Sequence, residues 1–139
     1  MWKYYAVLSA IFAALTAIFA KVGVKNVDSN LATAVRTGVI LLIAWGAVLF
    51  SGSIGGVREL TKTSWLFLVL SGVATGLSWL FYFKALQLGD ASKVAPIDKL
   101  SVVFTIFLSF IVLKETVSWK VVLGGLLIAG GSLIILTDK

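Results

Sequence analysis

Three charged side chains in this sequence, Arg36, Asp98 and Lys99, fall within segments that are otherwise apolar enough to lie in a membrane. Ionisable groups are costly inside a bilayer, so they are the first candidates for function. Asp98 could take up a proton, bind a cation or pair with Arg36, whereas Arg36 could hold a carboxylate or phosphate through its planar guanidinium. Simpler explanations exist: Asp98 would suit the first turn of a helix that begins at Pro96, and both basic side chains could extend to the membrane surface.

The elements that must position these residues are long apolar runs. The chain has 139 residues, of which 60% are hydrophobic and 13% are charged, and its mean hydropathy is +1.06. A soluble domain is typically about 45–50% apolar and about 25% charged. A 14.8 kDa globule cannot bury so much apolar surface. The composition therefore excludes a soluble protein and indicates an integral membrane protein.

The apolar runs are separated by turn-forming segments at 25–30, 51–56, 89–90 and 114–120. A membrane-spanning helix needs roughly 20 mostly apolar residues, so we predict an all-α integral membrane fold with five transmembrane helices in a single domain, 1–139. The expected helices lie near residues 3–23, 30–50, 63–87, 93–113 and 118–137. A cleaved signal peptide at the first segment is disfavoured because no small-x-small cleavage site follows it. Continuous apolar runs also disfavour a β-barrel.

The second and fourth helices reach spanning length only if they include charged residues. The turn at 51–56 ends the second helix near Phe50, so this helix must begin before Arg36. The uncharged run 100–113 is too short to cross a bilayer, so the fourth helix must extend back past Asp98 and Lys99. Both helices start at the same membrane face, which places the three charges on one side of the bilayer.

Lysine and arginine are divided evenly between the two membrane faces when the embedded Arg36 and Lys99 are left out. The face of the N-terminus carries Lys3, Arg58, Lys62, Lys114 and Lys120, and the opposite face carries Lys21, Lys25, Lys84, Lys93 and Lys139. Because an excess of Lys and Arg sets the orientation of a membrane protein, this balance favours a chain that inserts both ways and works as an antiparallel homodimer. A single orientation set by a weak bias or by the lipids is the alternative.

The sequence contains no histidine and no cysteine, which excludes disulfide scaffolds, haem ligation, zinc sites and catalysis by either residue. No nucleophile–base pair, metal cluster or cofactor motif is visible, so we expect no enzyme, no metal and no cofactor. The net charge of +6 does not indicate a nucleic-acid partner, because the lysines stand singly at helix ends. A channel is disfavoured because the sequence has no polar stripe or filter motif.

Four glycines have spacings that allow helices to approach closely. Gly72 and Gly76 stand four residues apart in the third helix, and Gly124 and Gly131 stand seven residues apart in the last. We expect these glycines to pack helices within the chain. The glycine face of the last helix could instead join two copies of the chain.

Aromatic side chains near the end of the third helix form a further group of candidates. Trp79 and Tyr82, with Phe83, could line a substrate pocket. Tryptophan and tyrosine near helix ends more often form the aromatic belt at the membrane surface, and both interpretations stay open for this group. Five others are assigned to the belt: Trp2, Tyr4, Tyr5, Trp65 and Trp119.

Three segments resemble those of EamA-type transporters, which belong to the drug/metabolite transporter superfamily. The segment at 81–96, Phe-Tyr-Phe-Lys-Ala-Leu-Gln-Leu-Gly-Asp-Ala-Ser-Lys-Val-Ala-Pro, is similar to the family's junction between the third and fourth helices. The segment Leu113-Lys-Glu-Thr-Val-Ser-Trp-Lys, followed by glycine pairs at 124–125 and 130–131, resembles the start of the last helix. Ala20-Lys-Val-Gly-Val-Lys-Asn-Val-Asp, with Arg36, is similar to the passage between the first two helices. Together they cover almost the whole chain as one EamA domain.

The resemblance implies one half of a ten-helix inverted-repeat fold, because family members usually carry two such domains. It implies a secondary transporter of a small metabolite or drug, which works by alternating access as an antiparallel dimer in the plasma or inner membrane of a prokaryote. The alternative is a membrane structural or interaction subunit, half of a heterodimer with a paralogue. Asp98 and Lys99 depart from the family pattern, in which uncharged residues follow the proline. The first helix also lacks the acid that small multidrug exporters use for proton exchange, which argues against that route.

Overall fold

The computed structural model describes residues 1–138, and their regular elements are helices. They are α1 (Trp2–Gly23), α2 (Ser29–Phe50), a 3₁₀ helix (Ser53–Glu59), α3 (Lys62–Leu88), α4 (Ala91–Asp98), α5 (Ser101–Val112) and α6 (Trp119–Thr137). Within the described residues five spans are long and apolar enough to cross a membrane, namely α1, α2, α3, α6 and the combined segment Ala91–Val112. The prediction of an all-α membrane fold with five transmembrane helices is confirmed.

The ends of α2 follow from its flanking residues. Before the helix, Oδ1 of Asp28 accepts hydrogen bonds from the backbone amides of Asn30 at 2.9 Å and Leu31 at 3.1 Å, which is the geometry of an N-cap. After the helix, Gly52 adopts a left-handed conformation with φ of 68°, which glycine adopts without strain. This cap fixes the start of α2. Arg36 therefore lies about 10 Å along the helix axis from Ser29, at a rise of 1.5 Å per residue.

The fourth span is broken into two helices, with α4 ending at Asp98 and α5 beginning at Ser101. At the break, the amides of Lys99 and Leu100 donate to carbonyls only three residues back, each at 3.0 Å, which is 3₁₀ geometry. Pro96 precedes the break and removes one helical hydrogen bond because it has no N–H. The single helix that we expected over 93–113 is therefore two shorter helices.

Helix α4 begins five residues before Pro96. The carbonyl of Asp90 accepts hydrogen bonds from the amides of Lys93 at 3.0 Å and Val94 at 2.9 Å, so the first turn forms ahead of the proline. The interpretation that places Asp98 in the first turn of a helix starting at Pro96 is therefore wrong. Asp98 is the last residue of α4, at the end where the helix dipole disfavours a negative charge.

The described residues form two compact units, one of residues 1–19 with 88–138 and the other of residues 20–87. In the first unit, α6 packs against both α4 and α5. The buried Ser132 of α6 donates its hydroxyl to the carbonyl of Pro96 at 2.8 Å, next to the break in the fourth span. Beyond the end of α6, Asp138 pairs with Lys93 at 3.0 Å. These two polar contacts tie α6 and its C-terminal end to α4.

A close approach between α5 and α6 occurs at the buried Gly125, where an added Cβ would stand 2.7 Å from Cδ1 of Ile106. We expect Gly125→Leu to lower the free energy of unfolding by about 1–3 kcal/mol, because the extra volume forces the two helices apart. Thermal unfolding in detergent would measure the change. Gly130→Leu is the matched control, because a Cβ there meets nothing within 4 Å. Equal losses in the two variants would contradict this packing.

In the unit of residues 20–87, the buried residues are concentrated near the end of α1, the start of α2 and the end of α3. They are Ala20, Val24, Ser29, Thr33, Phe83 and Leu86. Two hydrogen bonds join these segments: Nζ of Lys21 donates to the carbonyl of Leu86 at 2.8 Å, and Nε2 of Gln87 donates to the carbonyl of Val27 at 2.9 Å. This end of the unit is therefore held by both packing and polar contacts.

Candidate functional site

The guanidinium of Arg36 lies against two aromatic rings of α3. Its central carbon is 4.2 Å from the ring centroid of Trp79 and 5.2 Å from that of Phe83. Both distances are within the range of cation–π attraction. The two rings are four residues apart and therefore lie on one face of α3. We call Arg36, Trp79 and Phe83 the Arg36 cluster.

The Arg36 cluster holds its positive charge inside the span. At 1.5 Å per residue, Phe83 lies about 8 Å and Trp79 about 14 Å along α3 from its end at Leu88. The guanidinium carbon is nearer to the ring of Trp79, the deeper of the two. The guanidinium therefore contacts α3 within the helix rather than at its end, and the extension of Arg36 to the membrane surface stays a prediction.

One nitrogen of the Arg36 guanidinium, Nη1, is buried and has no hydrogen-bond partner among the described residues. A buried donor without a partner costs free energy, and more so when the group is charged. The arginine side chain as a whole is half-buried. The cluster therefore contains hydrogen-bonding capacity that residues 1–138 do not use.

The acidic residues of the unit 20–87 do not neutralise Arg36. This unit contains two of them, Asp28 and Glu59. Asp28 caps the start of α2 through Oδ1, and Glu59 is exposed at the end of the 3₁₀ helix that follows α2. Within this unit, the positive charge of Arg36 is balanced by the faces of aromatic rings rather than by a carboxylate.

The structure brings together Arg36 and Trp79, which the sequence singled out separately, and places Tyr82 beside them. The rings of Tyr82 and Phe83 meet edge to face, with centroids 6.5 Å apart and an interplanar angle of 64°. Trp79 and Tyr82 are half-buried, while Phe83 is buried. The sequence pointed to Phe83 only as a neighbour of Trp79 and Tyr82, because a phenylalanine in an apolar helix gives no indication that a cation will contact it.

Asp98 and Lys99 lie in the other unit, at the break in the fourth span. Nζ of Lys99 is 3.4 Å from Oδ2 of Asp98, so these adjacent residues form an ion pair. Both side chains remain partly exposed. The pairing of Asp98 with Arg36, one of the alternatives from the sequence, stays a prediction.

The four glycines expected to pack helices have open space around them. An added Cβ at Gly72, Gly76, Gly124 or Gly131 would meet nothing within 4 Å among the described residues. Close packing inside the chain uses Gly125 instead. Sequence spacing gave no reason to prefer Gly125 over Gly124. The glycine that contacts α5 depends on how α5 packs against α6, which spacing does not specify.

Most large apolar side chains of the described residues are also exposed. The buried hydrophobic residues are Ala17, Ala20, Val24, Phe83 and Leu86. In a membrane the exposed apolar surface can contact lipid tails as well as another protein. Five apolar spans with this outer surface define a multi-pass membrane protein that lies in a lipid bilayer.

The model of the EamA-like transporter family matches residues 1–137, so the chain belongs to this family of membrane transporters. It is 48% identical over 134 residues to a protein of Sinorhizobium sp. described as an uncharacterized transporter in the cobO 3' region. The match covers 96% of this chain and 95% of that protein. No solved structure matches the chain.

Proposed function

We propose that this chain is one half of a secondary transporter, which moves a small metabolite or drug by alternating access as an antiparallel homodimer. The membrane would be the plasma or inner membrane of a prokaryote. Five spans are few to enclose a hydrated path, whereas transporters built from inverted repeats bind their substrate near the midplane between two halves. The even division of Lys and Arg between the two faces supports two opposite orientations.

The observation that carries this proposal is the open space at the glycines of α3 and α6. Small residues at a helix surface let a second backbone approach closely, which is a major source of helix association in membranes. Gly124 and Gly131 lie on one face of α6, and a Cβ added at either would meet nothing within 4 Å among the described residues. A second copy packed on α6 would fill this face and complete a ten-helix assembly.

Within this proposal, proton or cation coupling is assigned to Asp98. Discontinuous helices in transporters place freed backbone groups and charges at ion sites, and Asp98 lies at such a discontinuity. Its partner Lys99 is 3.4 Å away. A coupling ion bound by this carboxylate would compete with Lys99, which links the break in the fourth span to the ion gradient.

Flux into proteoliposomes that contain only the purified chain tests the proposal. Small organic acids, amines and neutral metabolites would be screened with and without a pH gradient. We expect at least one class of solute to accumulate above the level in protein-free liposomes. A chain that forms a stable dimer but moves no solute under either condition would contradict a transport function.

The alternative is an interaction subunit that pairs with a paralogue, because the open glycine faces would suit a related partner as well as a second copy. Production of the chain alone distinguishes the two. A homodimer isolated from cells that make only this chain supports the transporter proposal. A chain that stays monomeric alone and pairs only with a paralogue supports the alternative.

A further inference from the structure

We propose that the Arg36 cluster binds the oxyanion of a small organic acid or phosphate ester, so that the transported solute is an anion. This inference rests on the proposed transport function and names its substrate class. A guanidinium presents paired N–H donors in one plane, which match two oxygens of a carboxylate or phosphate. The cation–π contacts with Trp79 and Phe83 hold the guanidinium against α3.

The unused donor of Arg36 is the first argument for an anion. Nη1 is buried without a hydrogen-bond partner among the described residues, although buried polar groups in proteins nearly always have one. An incoming oxyanion would therefore let Arg36 present two N–H groups together and satisfy the donor that is now unpaired.

The charge balance around Arg36 is the second argument. Neither acid of the unit 20–87 neutralises it, since Asp28 caps α2 and Glu59 is exposed beyond the far end of that helix. Lys25 and Lys84 add exposed positive charge at the end of the unit where α2 begins. An uncompensated positive field attracts anions and repels organic cations.

The position of the cluster along α3 favours a transported solute over a lipid headgroup. Both could supply an oxyanion, but the phosphate of a lipid lies at the membrane surface. The guanidinium is nearest to Trp79, which lies about 14 Å along α3 from its end. A freely diffusing solute can reach such a position inside a transport path, and a lipid headgroup is distinguished from it by the response to added phosphatidylglycerol.

Fluorescence of Trp79 can report binding without any need for transport. In a parent variant, the other four tryptophans, Trp2, Trp45, Trp65 and Trp119, are replaced by phenylalanine. The purified protein in an uncharged maltoside detergent is titrated with sodium acetate, inorganic phosphate or tetramethylammonium chloride at constant ionic strength. We expect a saturable change in Trp79 emission with acetate or phosphate and none with the cation.

Substitutions of Arg36 decide whether the response comes from the cluster. Arg36→Gln should abolish the saturable change. Arg36→Lys keeps the charge but loses the planar pair of donors, so it should raise the apparent Kd about tenfold. If Arg36→Gln fails to fold, as judged by circular dichroism, the shift in Arg36→Lys still tests the proposal. Lys62→Gln removes an exposed charge at the start of α3, roughly 25 Å along the helix from Trp79, and should leave the Kd unchanged.

Three results would overturn the proposal: no saturable response to either anion, an equal response in Arg36→Gln, or a response to added phosphatidylglycerol alone. The last result would assign the cluster to a lipid headgroup. Because binding is measured at equilibrium without flux, it is separable from the transport test. Transport of a neutral or cationic solute alone would also overturn the anion assignment, but the proposed transport function would stand.

Discussion

Two variants whose Lys and Arg residues favour opposite membrane orientations are expected to co-purify as a stable dimer when they are made in the same cell. Each variant should stay monomeric when it is made alone. When the embedded Arg36 and Lys99 are left out, the first variant, Arg58→Gln with Lys62→Gln, has three basic residues on the face of the N-terminus and five on the other face. The second is Lys25→Gln with Lys84→Gln, which leaves five and three. Because the face richer in Lys and Arg stays inside, the two variants should insert in opposite orientations.

The four substituted residues suit this test because their side chains are exposed. Lys84 makes one exposed hydrogen bond to Gln87, so its loss should have little effect on stability. Different affinity tags on the two variants allow co-purification to be measured. The control is a single variant made with both tags, which should not pair with itself. An antiparallel dimer would be contradicted if copies of one variant co-purified with each other as strongly as the two different variants do.

The double variant Gly124→Leu with Gly131→Leu is expected to lose the dimer while each monomer keeps its fold. The two glycines lie about two turns apart on one face of α6, and a Cβ added at either would meet nothing within 4 Å among the described residues. Two leucines would hold a second backbone away from this face and remove the close contact that drives association. We expect the dissociation constant of the dimer to rise at least about tenfold, which corresponds to about 1.4 kcal/mol.

Cross-linking or energy transfer between labelled copies in liposomes would measure this loss. Gly130→Leu serves as the matched control, because Gly130 is on the same helix, rotated about 100° from Gly131, and is equally open. The corresponding double variant of α3, Gly72→Leu with Gly76→Leu, locates the interface. Loss of the dimer in the α3 variant alone would move the interface from α6 to α3.

The positions of the spans could be predicted from the sequence because they depend on local properties. A span requires about 20 apolar residues, and this chain separates its apolar runs with residues that form turns and caps. Asp28 is an example, since an aspartate before an apolar run has few roles other than the N-cap that it forms in the structure. Gly52 is another, because it occupies a left-handed turn directly after α2.

The break in the fourth span was not predicted, because it depends on contacts between distant residues. Proline is common in the first turn of a helix, but it is also tolerated inside membrane helices when neighbouring groups satisfy the backbone. The hydroxyl of Ser132, which lies 36 residues beyond Pro96, donates to the proline carbonyl, which also accepts from the amide of Lys99 at the break. Nothing in the local sequence around Pro96 indicates this partner.

The candidate site was predicted in parts that only the fold brings together. Arg36 was selected because it is charged inside a span, and Trp79 because it is aromatic near a helix end. Their contact requires α2 and α3 to pack in one particular rotation, which apolar periodicity does not specify when nearly every face of a helix is apolar. The same limit explains why Gly125, rather than Gly124, receives the side chain of Ile106.

Labelling of single cysteines in intact cells tests the central claim, that the working unit contains two opposite orientations of this chain. The sequence has no cysteine, so Asn26→Cys and Ser53→Cys each add one thiol, at exposed positions in the loops on opposite faces. With an impermeant maleimide, we predict that about half of the molecules react at each position, as two orientations require. Complete reaction at one position and none at the other would contradict the claim.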